Sequence, residues 1–417
     1  MRRYDSYKDS GVEWIGEVPS HWEVTKLNNI CGIITDYVAS GSFAEIRNNV
    51  SYLSEPDYAM LIRTADLSNK NTSTNKVYIN KHSYNFLKNS NLFGGEVILP
   101  NIGSVGDVYI MPENLYEHMS LAPNSIMLKT KYSNKYFYYY FFSKPGKDSL
   151  ILLGASSVQA KFNKTELRAL KTIVPSINEQ EHIVSYLDSK CGEIDKVIST
   201  QEKRVTLLQE LKQSIITHAV TKGLNPDVKM KDSGIEWIGE VPEHWDCAPF
   251  KRFMNIKNGQ DYKSFQSDDG YPVIGSGGCF AYCTRFIYDG ESLLLGRKGT
   301  IDKPLYVNGK FWTVDTMFYS IPQKNCSVRY MYYQSLTIPF ERYYTSTALP
   351  SMTQTDLGLN NFCFPPIPEQ QEIASYLDKR CAQIDASISK AKKEIELLQE
   401  YKQSLITEVV TGKRKVC

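Results

Sequence analysis

Residues 179–217 read EQEHIVSYLDSKCGEIDKVISTQEKRVTLLQELKQSIIT, and the stretch returns at 369–407 as EQQEIASYLDKRCAQIDASISKAKKEIELLQEYKQSLIT, offset by 190 without a gap. The first copy places Leu187, Cys191, Ile194, Ile198, Gln201, Val205 and Leu208 at steps that alternate between four and three residues. Its repeat sets Leu377, Cys381, Ile384, Ile388, Ala391, Ile395 and Leu398 at the same positions. A mostly apolar 3.5-residue period with Glu, Lys and Gln between its members is a coiled-coil seam, so each copy predicts one long helix whose stripe needs a partner. About 45 residues at 1.5 Å each make such a helix roughly 65–70 Å long. Gly223 and Gly412 stand as C-cap candidates, and Pro226 bars continuation of the first helix.

Upstream of each helix a second repeat appears. Residues 8–22, KDSGVEWIGEVPSHW, recur at 231–245 as KDSGIEWIGEVPEHW, now at an offset of 223. The unit is therefore an opening motif, a variable body and a long helix, and the first body is 33 residues longer than the second. Trp14, Trp22, Trp237 and Trp245, four of the five tryptophans, lie in this motif beside Gly16, Pro19, Gly239 and Pro242. That combination predicts a packed, tight-turned docking segment. The bodies are rich in Tyr, Ile, Val and Gly, with short runs at 96–99, 108–111, 292–295 and 311–314 that read as strands. Two aromatic segments, KYFYYYFFS at 135–143 and RYMYYQSL at 329–336, read as core helices. Three correspondences survive between the bodies: glycine loops at 101–105 and 297–301, segments at 155–167 and 345–357, and the helix approaches IVPSINEQ and CFPPIPEQ.

Composition narrows the function. A net charge of +2 with 42% apolar residues is ordinary for a globular chain, and 417 residues suffice for several cores. Residues 24–177 carry 16 Lys and Arg against 11 Asp and Glu, and 246–366 carry 12 against 10, so any basic surface is local. Nine cysteines without a CxxC pair, no apolar run of 18 residues and no leader-like start lead us to expect a cytoplasmic, reduced protein without a membrane span. No GxxxxGK, GxGxxG or HExxH occurs, nor the Asn-Pro-Pro-Tyr of amino-methyltransferases. The Asp-x-Lys of Pro226-Asp227-Val228-Lys229 sits in a linker without an acidic partner. Recognition without chemistry is what remains, with no cofactor and no metal.

Two related bodies joined by two long antiparallel helices suggest a pseudo-two-fold object suited to duplex DNA. At this point the motifs SGxEWIGEVPxHW, PPIPEQxEIAxYLD and LLQExKQSLITxxVTG resemble those of the specificity subunit, HsdS, of type I restriction-modification systems, from about residue 5 to 415. The resemblance implies an α+β fold: two mixed α/β target recognition domains in pseudo-two-fold arrangement, separated by two long antiparallel coiled-coil helices. The expected divisions are 1–177 for the first recognition domain and 178–222 for the first helix. The second domain then spans 223–367, and the second helix with its tail 368–417.

The resemblance further implies a non-catalytic subunit that binds a bipartite, asymmetric double-stranded DNA target, with the helices as a ruler for the unread spacer. Two modification subunits would bring S-adenosylmethionine and adenine methylation, and restriction subunits would add ATP-driven cleavage. Expected DNA contacts in the first domain are Arg63, Asn101, Ser104, Lys161, Asn163 and Lys164. In the second they are Ser276, Arg297, Lys298, Thr300, Thr353 and Gln354, since such side chains reach phosphates or base edges. A coiled-coil scaffold that never meets DNA, or a recognition subunit of a related defence system, are the alternatives. Sequence-selective duplex binding separates the first from our reading, and the neighbouring genes separate the second.

Overall fold

The computed structural model describes residues 3–68, 75–155, 160–343 and 350–416. Parts of the paired segments 155–167 and 345–357 therefore lie outside the described residues. The repeated stretches form the helices Ile177–Lys222, 46 residues, and Ile367–Val410, 44 residues. The first is started by a capping box: the Glu179 amide donates to Ser176 Oγ at 3.4 Å, and the Ser176 amide donates to Glu179 Oε2 at 3.3 Å. Both helices end as glycine allows, with Gly223 at φ +75 and Gly412 at φ +73.

The chain divides into two compact units, and the division does not follow the four expected segments. One unit is residues 1–200 with 394–417, and the other is 201–393. Each unit thus holds one body, the first half of the helix that follows it and the second half of the other helix. Within the first unit, Lys402 Nζ donates to Asp195 Oδ2 at 2.7 Å, and Tyr136 Oη donates to the Val410 carbonyl at 3.1 Å. The two helix halves there run antiparallel. Within the second unit the repeat-equivalent groups meet: Lys212 Nζ donates to Asp385 Oδ2 at 2.7 Å and Tyr330 Oη to the Val220 carbonyl at 3.3 Å. Those ion pairs are half-exposed and contribute at most about 1 kcal/mol each, so apolar packing must hold the halves together.

That packing differs from the expected seam. In the first unit Leu187, Cys191 and Ile194 are buried in one core with Leu405, Ile406, Val409 and Val410, and Ile198 and Leu398 pack at its margin. In the second, Leu377 and Cys381 share a core with Ile216, Ala219 and Val220. Ile384, Ile388 and Ala391 are buried, while Gln201, Val205, Leu208 and Ile395 are half-buried. The stripe therefore continues beyond Leu208 and Leu398 to the helix ends, where it is best covered. It also merges with the bodies: the aromatic helices Asn134–Phe142 and Val328–Ser335 lie against it, with Tyr136 and Tyr330 fully buried. Tyr139 and Tyr333 each donate to an aspartate of the long helix, Asp188 and Asp378, at 2.7 Å.

Each body has the same plan. An antiparallel sheet in the first is ordered Cys31–Asp36, Ser125–Thr130, Val97–Pro100, Tyr109–Ile110. Its counterpart is Met254–Asn258, Met317–Pro322, Ser292–Gly296, Leu305–Val307. A second sheet contains one parallel pair, Ala59–Ile62 beside Met119–Leu121 and Tyr271–Gly275 beside Lys310–Thr313. The longer first body adds the helices Phe43–Asn49 and Lys81–Phe86. A two-stranded neck closes each body, Glu23–Lys26 with Lys171–Val174 and Asp246–Pro249 with Asn361–Phe364. The second neck sets Cys247 opposite Cys363, Cα atoms 4.0 Å apart, and joins them in a disulfide where wholly reduced cysteines were expected. Cys191, in contrast, is a free thiol whose burial pushes it up to about 11. No helix among the described residues is long and apolar enough to cross a membrane.

The opening motifs dock on the helix starts. Trp22 and Trp245 are fully buried, and each indole N–H donates to the first-turn glutamate, Glu179 at 3.2 Å and Glu369 at 3.1 Å. His21 and His244 meet the same carboxylates at 2.9 and 2.8 Å. Burial alone would push the Glu179 carboxyl up, yet hydrogen bonds from His21, Trp22 and Ser176 hold it below the usual carboxylate range. An acid so lowered stabilises the folded state above its unfolded pKa and ceases to do so as pH falls through its folded value. Acidification below the ordinary glutamate range should therefore loosen this clasp, and Glu179→Gln should flatten that pH dependence. Hydrogen exchange of residues 8–22 across the acid range measures it.

Candidate nucleic-acid interface

The strands dictate where the loops meet. In the first body Ile62, Pro100 and Leu121 close their strands at one edge: the Ala122 amide donates to the Ile62 carbonyl at 2.9 Å, and Ser125 pairs with Pro100. The loops that follow, from Arg63, Asn101 and Ala122, therefore form one rim. The Asn101 amide donates to the Asn124 carbonyl at 3.0 Å, and the Phe162 amide donates to the Asn101 carbonyl at 3.1 Å. Ile102 bridges to Lys161, which brings the 161–164 segment into the same rim.

The second body repeats this bonding with other side chains. The Arg297 amide donates to the Thr316 carbonyl at 2.8 Å, the Met352 amide donates to the Arg297 carbonyl at 3.0 Å, and Lys298 bridges to Ser351. Gly275, preceding Ser276, ends the strand beside Lys310–Thr313. Gly296 admits the loop's return, because a Cβ there would lie 2.2 Å from the Thr300 carbonyl oxygen. Gln260 joins through its amide bond to the Thr313 carbonyl at 2.9 Å.

The expected contact residues thus converge on one rim per body, but their side chains are not equally available. Ser104, Lys161 and Lys298 are exposed, and Ser276 and Thr300 are half-buried. Others are held by the protein. Arg63 forms an ion pair with Asp66 at 3.0 Å, where hydrogen bonds from Arg63 and Lys76 outweigh burial and keep the carboxyl low. Lys164 pairs with Asp36 at 2.8 Å. Asn163 and Thr353 cap the short helices Lys164–Ala169 and Gln354–Leu359. Asn101 Nδ2 donates to the Phe162 carbonyl at 3.0 Å and Gln354 Nε2 to the Ile256 carbonyl at 2.9 Å. Sequence reading missed the third loop of each rim, 122–124 and 314–316. Its one signal is the Pro-Asn turn at Pro123, with Asn124 at φ +69; the second copy shares none of those letters.

The comparisons agree with this architecture. The sequence model described as type I restriction modification DNA specificity domain matches residues 19–206 and 242–397, which together make up most of the chain. A protein assigned as the MjaX type I restriction enzyme specificity subunit of Methanocaldococcus jannaschii is 25% identical over 437 residues, covering 96% of each chain. The MjaVIII specificity subunit of the same organism is 24% identical over 335 residues, covering 70% of this chain and 74% of its own. Among solved structures, a chain from a study of complex assembly and conformational transition in a type I restriction-modification system superposes with a TM-score of 0.69 at 13% identity. That match covers 94% of this chain and 98% of the other, and it speaks for the fold. With two matched specificity regions, one on each body, this chain belongs to the type I restriction-modification DNA specificity family.

Proposed function

We propose that this chain is the non-catalytic, cytoplasmic specificity subunit of a type I restriction-modification complex, and that its two bodies read the two halves of a bipartite, asymmetric duplex target. The observation that carries the reading is the rim: the same backbone hydrogen bonds at Asn101 and at Arg297 frame different side chains at equivalent positions. A shared frame with divergent tips is what two readers of different half-sites require. The partners are double-stranded DNA, two modification subunits that methylate adenine with S-adenosylmethionine, and restriction subunits that cleave with ATP.

The long helices offer those modification subunits a surface in each unit. Leu207 and Leu211 in one, and their repeat equivalents Leu397 and Tyr401 in the other, are 63, 48, 52 and 52% exposed. Apolar pairs four residues apart and outside the seam suit a helix of a partner.

Exchanging residues 24–174 for the corresponding body of another family member tests the reading. One half of the methylated sequence should change and the other stay; a wholly unchanged sequence overturns it. The exposed lysines of the rims supply a second measurement. Lys161→Ala and Lys298→Ala should each weaken binding to all duplexes alike and lower the slope of log K against log salt by about 0.9. Titrations between low and moderate salt read this directly.

A further inference from the structure

Resting on the reading of the rims as DNA interfaces, we propose that Arg297 and Asp315 together read one G·C base pair in the half-site of the second body. The Arg297 Nη1 donates to the Asp315 backbone carbonyl at 3.3 Å, which anchors the guanidinium beside the root of the aspartate side chain. Asp315 itself is exposed at the tip of the third loop. Two other carboxylates near this rim are occupied by their own turns: Asp261 accepts from the Lys263 amide at 3.1 Å and Asp356 from Thr353 Oγ1 at 2.6 Å. Among the described residues no such bond engages the Asp315 carboxylate.

A carboxylate on a surface that meets phosphates is repelled unless it finds a donor there. The major-groove edge of a G·C pair offers N7 and O6 of guanine as two acceptors and N4 of cytosine as one donor. A guanidinium that gives two hydrogen bonds next to a carboxylate that accepts one matches that edge in full. An A·T pair fits less well, because its adenine N7 and thymine O4 are separated by a donor and flanked by a methyl group.

At the equivalent positions the first body has no such pair. By strand register Pro100 corresponds to Gly296 and Ser125 to Met317, so Asn101 stands for Arg297 and Pro123 for Asp315. Asn101 spends its side-chain N–H on the Phe162 carbonyl, and proline offers no side-chain hydrogen bond. A charged pair at these two positions is therefore a feature of the second body alone.

The test is base-resolution mapping of methylation in cells carrying the intact complex, with wild-type chain, Asp315→Asn or Arg297→Gln. Both substitutions should relax the same G·C position in one half of the recognised sequence, cutting discrimination against other base pairs about ten- to hundred-fold, and leave the other half unchanged. Arg297→Lys, which keeps the charge but not the two-pronged donor, should relax the same position and guards against a folding defect in the glutamine variant. An unaltered preference at every position, or a uniform loss of methylation at all sites, overturns the proposal. If the wild-type chain itself directs no two-part sequence, it is the underlying DNA reading that fails.

Discussion

Replacing Trp245 with alanine should destabilise the unit of residues 201–393 by about 3–5 kcal/mol, the cost of emptying a large buried aromatic site. Trp245 has no exposed surface and packs in one core with Val241, Phe250, Ile216 and Leu377. It therefore ties the opening motif to both helix halves of its unit at once. Its indole N–H also serves Glu369 at 3.1 Å, so truncation leaves that carboxylate with His244. Against a typical domain stability of roughly 5–15 kcal/mol the loss is severe. Phenylalanine restores most of the ring and should recover more than half of it. Hydrogen exchange followed unit by unit is the measurement, since a single melting temperature would mix two cores. A loss below about 1 kcal/mol would show that the motif is not a structural clasp.

The two helix-ending glycines should respond unequally to the same substitution. Both Gly223 and Gly412 are left-handed, which costs alanine about 1–2 kcal/mol. Around Gly223 the nearest atoms to an added Cβ are 3.4 Å away, an ordinary contact. Around Gly412 the same Cβ would lie 2.3 Å from Cδ of Pro19 and 3.2 Å from the Trp22 ring, and a proline ring cannot swing aside. Overpacking adds about 1–3 kcal/mol, so Gly412→Ala should cost about 2–5 kcal/mol and Gly223→Ala no more than about 2. Tyr7 Oη donates to the Gly412 carbonyl at 2.9 Å, so the disturbance should spread to the first strand of the chain. Equal effects at the two sites would contradict this account of the clasp.

Much of the architecture is legible in the repeats. A gapless 190-residue offset and a 3.5-residue period locate both long helices to within about one residue at their starts, because periodicity and proline are local signals. The four short apolar runs become strands shifted by about a residue. What the pattern does not encode is the partner of each helical turn. Leu187 and Leu377 share their cores with aromatic body residues as well as with the other helix, and the stripe runs on past Leu208 and Leu398 through Ile216 and Leu405. The disulfide between Cys247 and Cys363 depends on strand register over 116 residues of separation, which spacing alone does not specify.

At the interface, alignment of the two glycine loops finds Asn101 and Arg297 as equivalents, and the register agrees. Side-chain commitments are another matter. Arg63 and Lys164 look like free cations in sequence, and only the folded chain brings Asp66 and Asp36 to them. Asp315 carries no such signal in the sequence, since an acidic residue in a short loop ordinarily argues against DNA contact. Its position beside Arg297 reverses that inference.

If this chain chooses the DNA sequence on which its complex acts through two separate readers, the methylated bases of the genome record that choice. Mapping methylated bases across the genome of cells that carry the intact system, with and without this chain, tests it most directly. A single two-part motif, with an unread gap between its halves, should be methylated only when the chain is present. Identical methylation in both cells, or a motif without two halves, would contradict it.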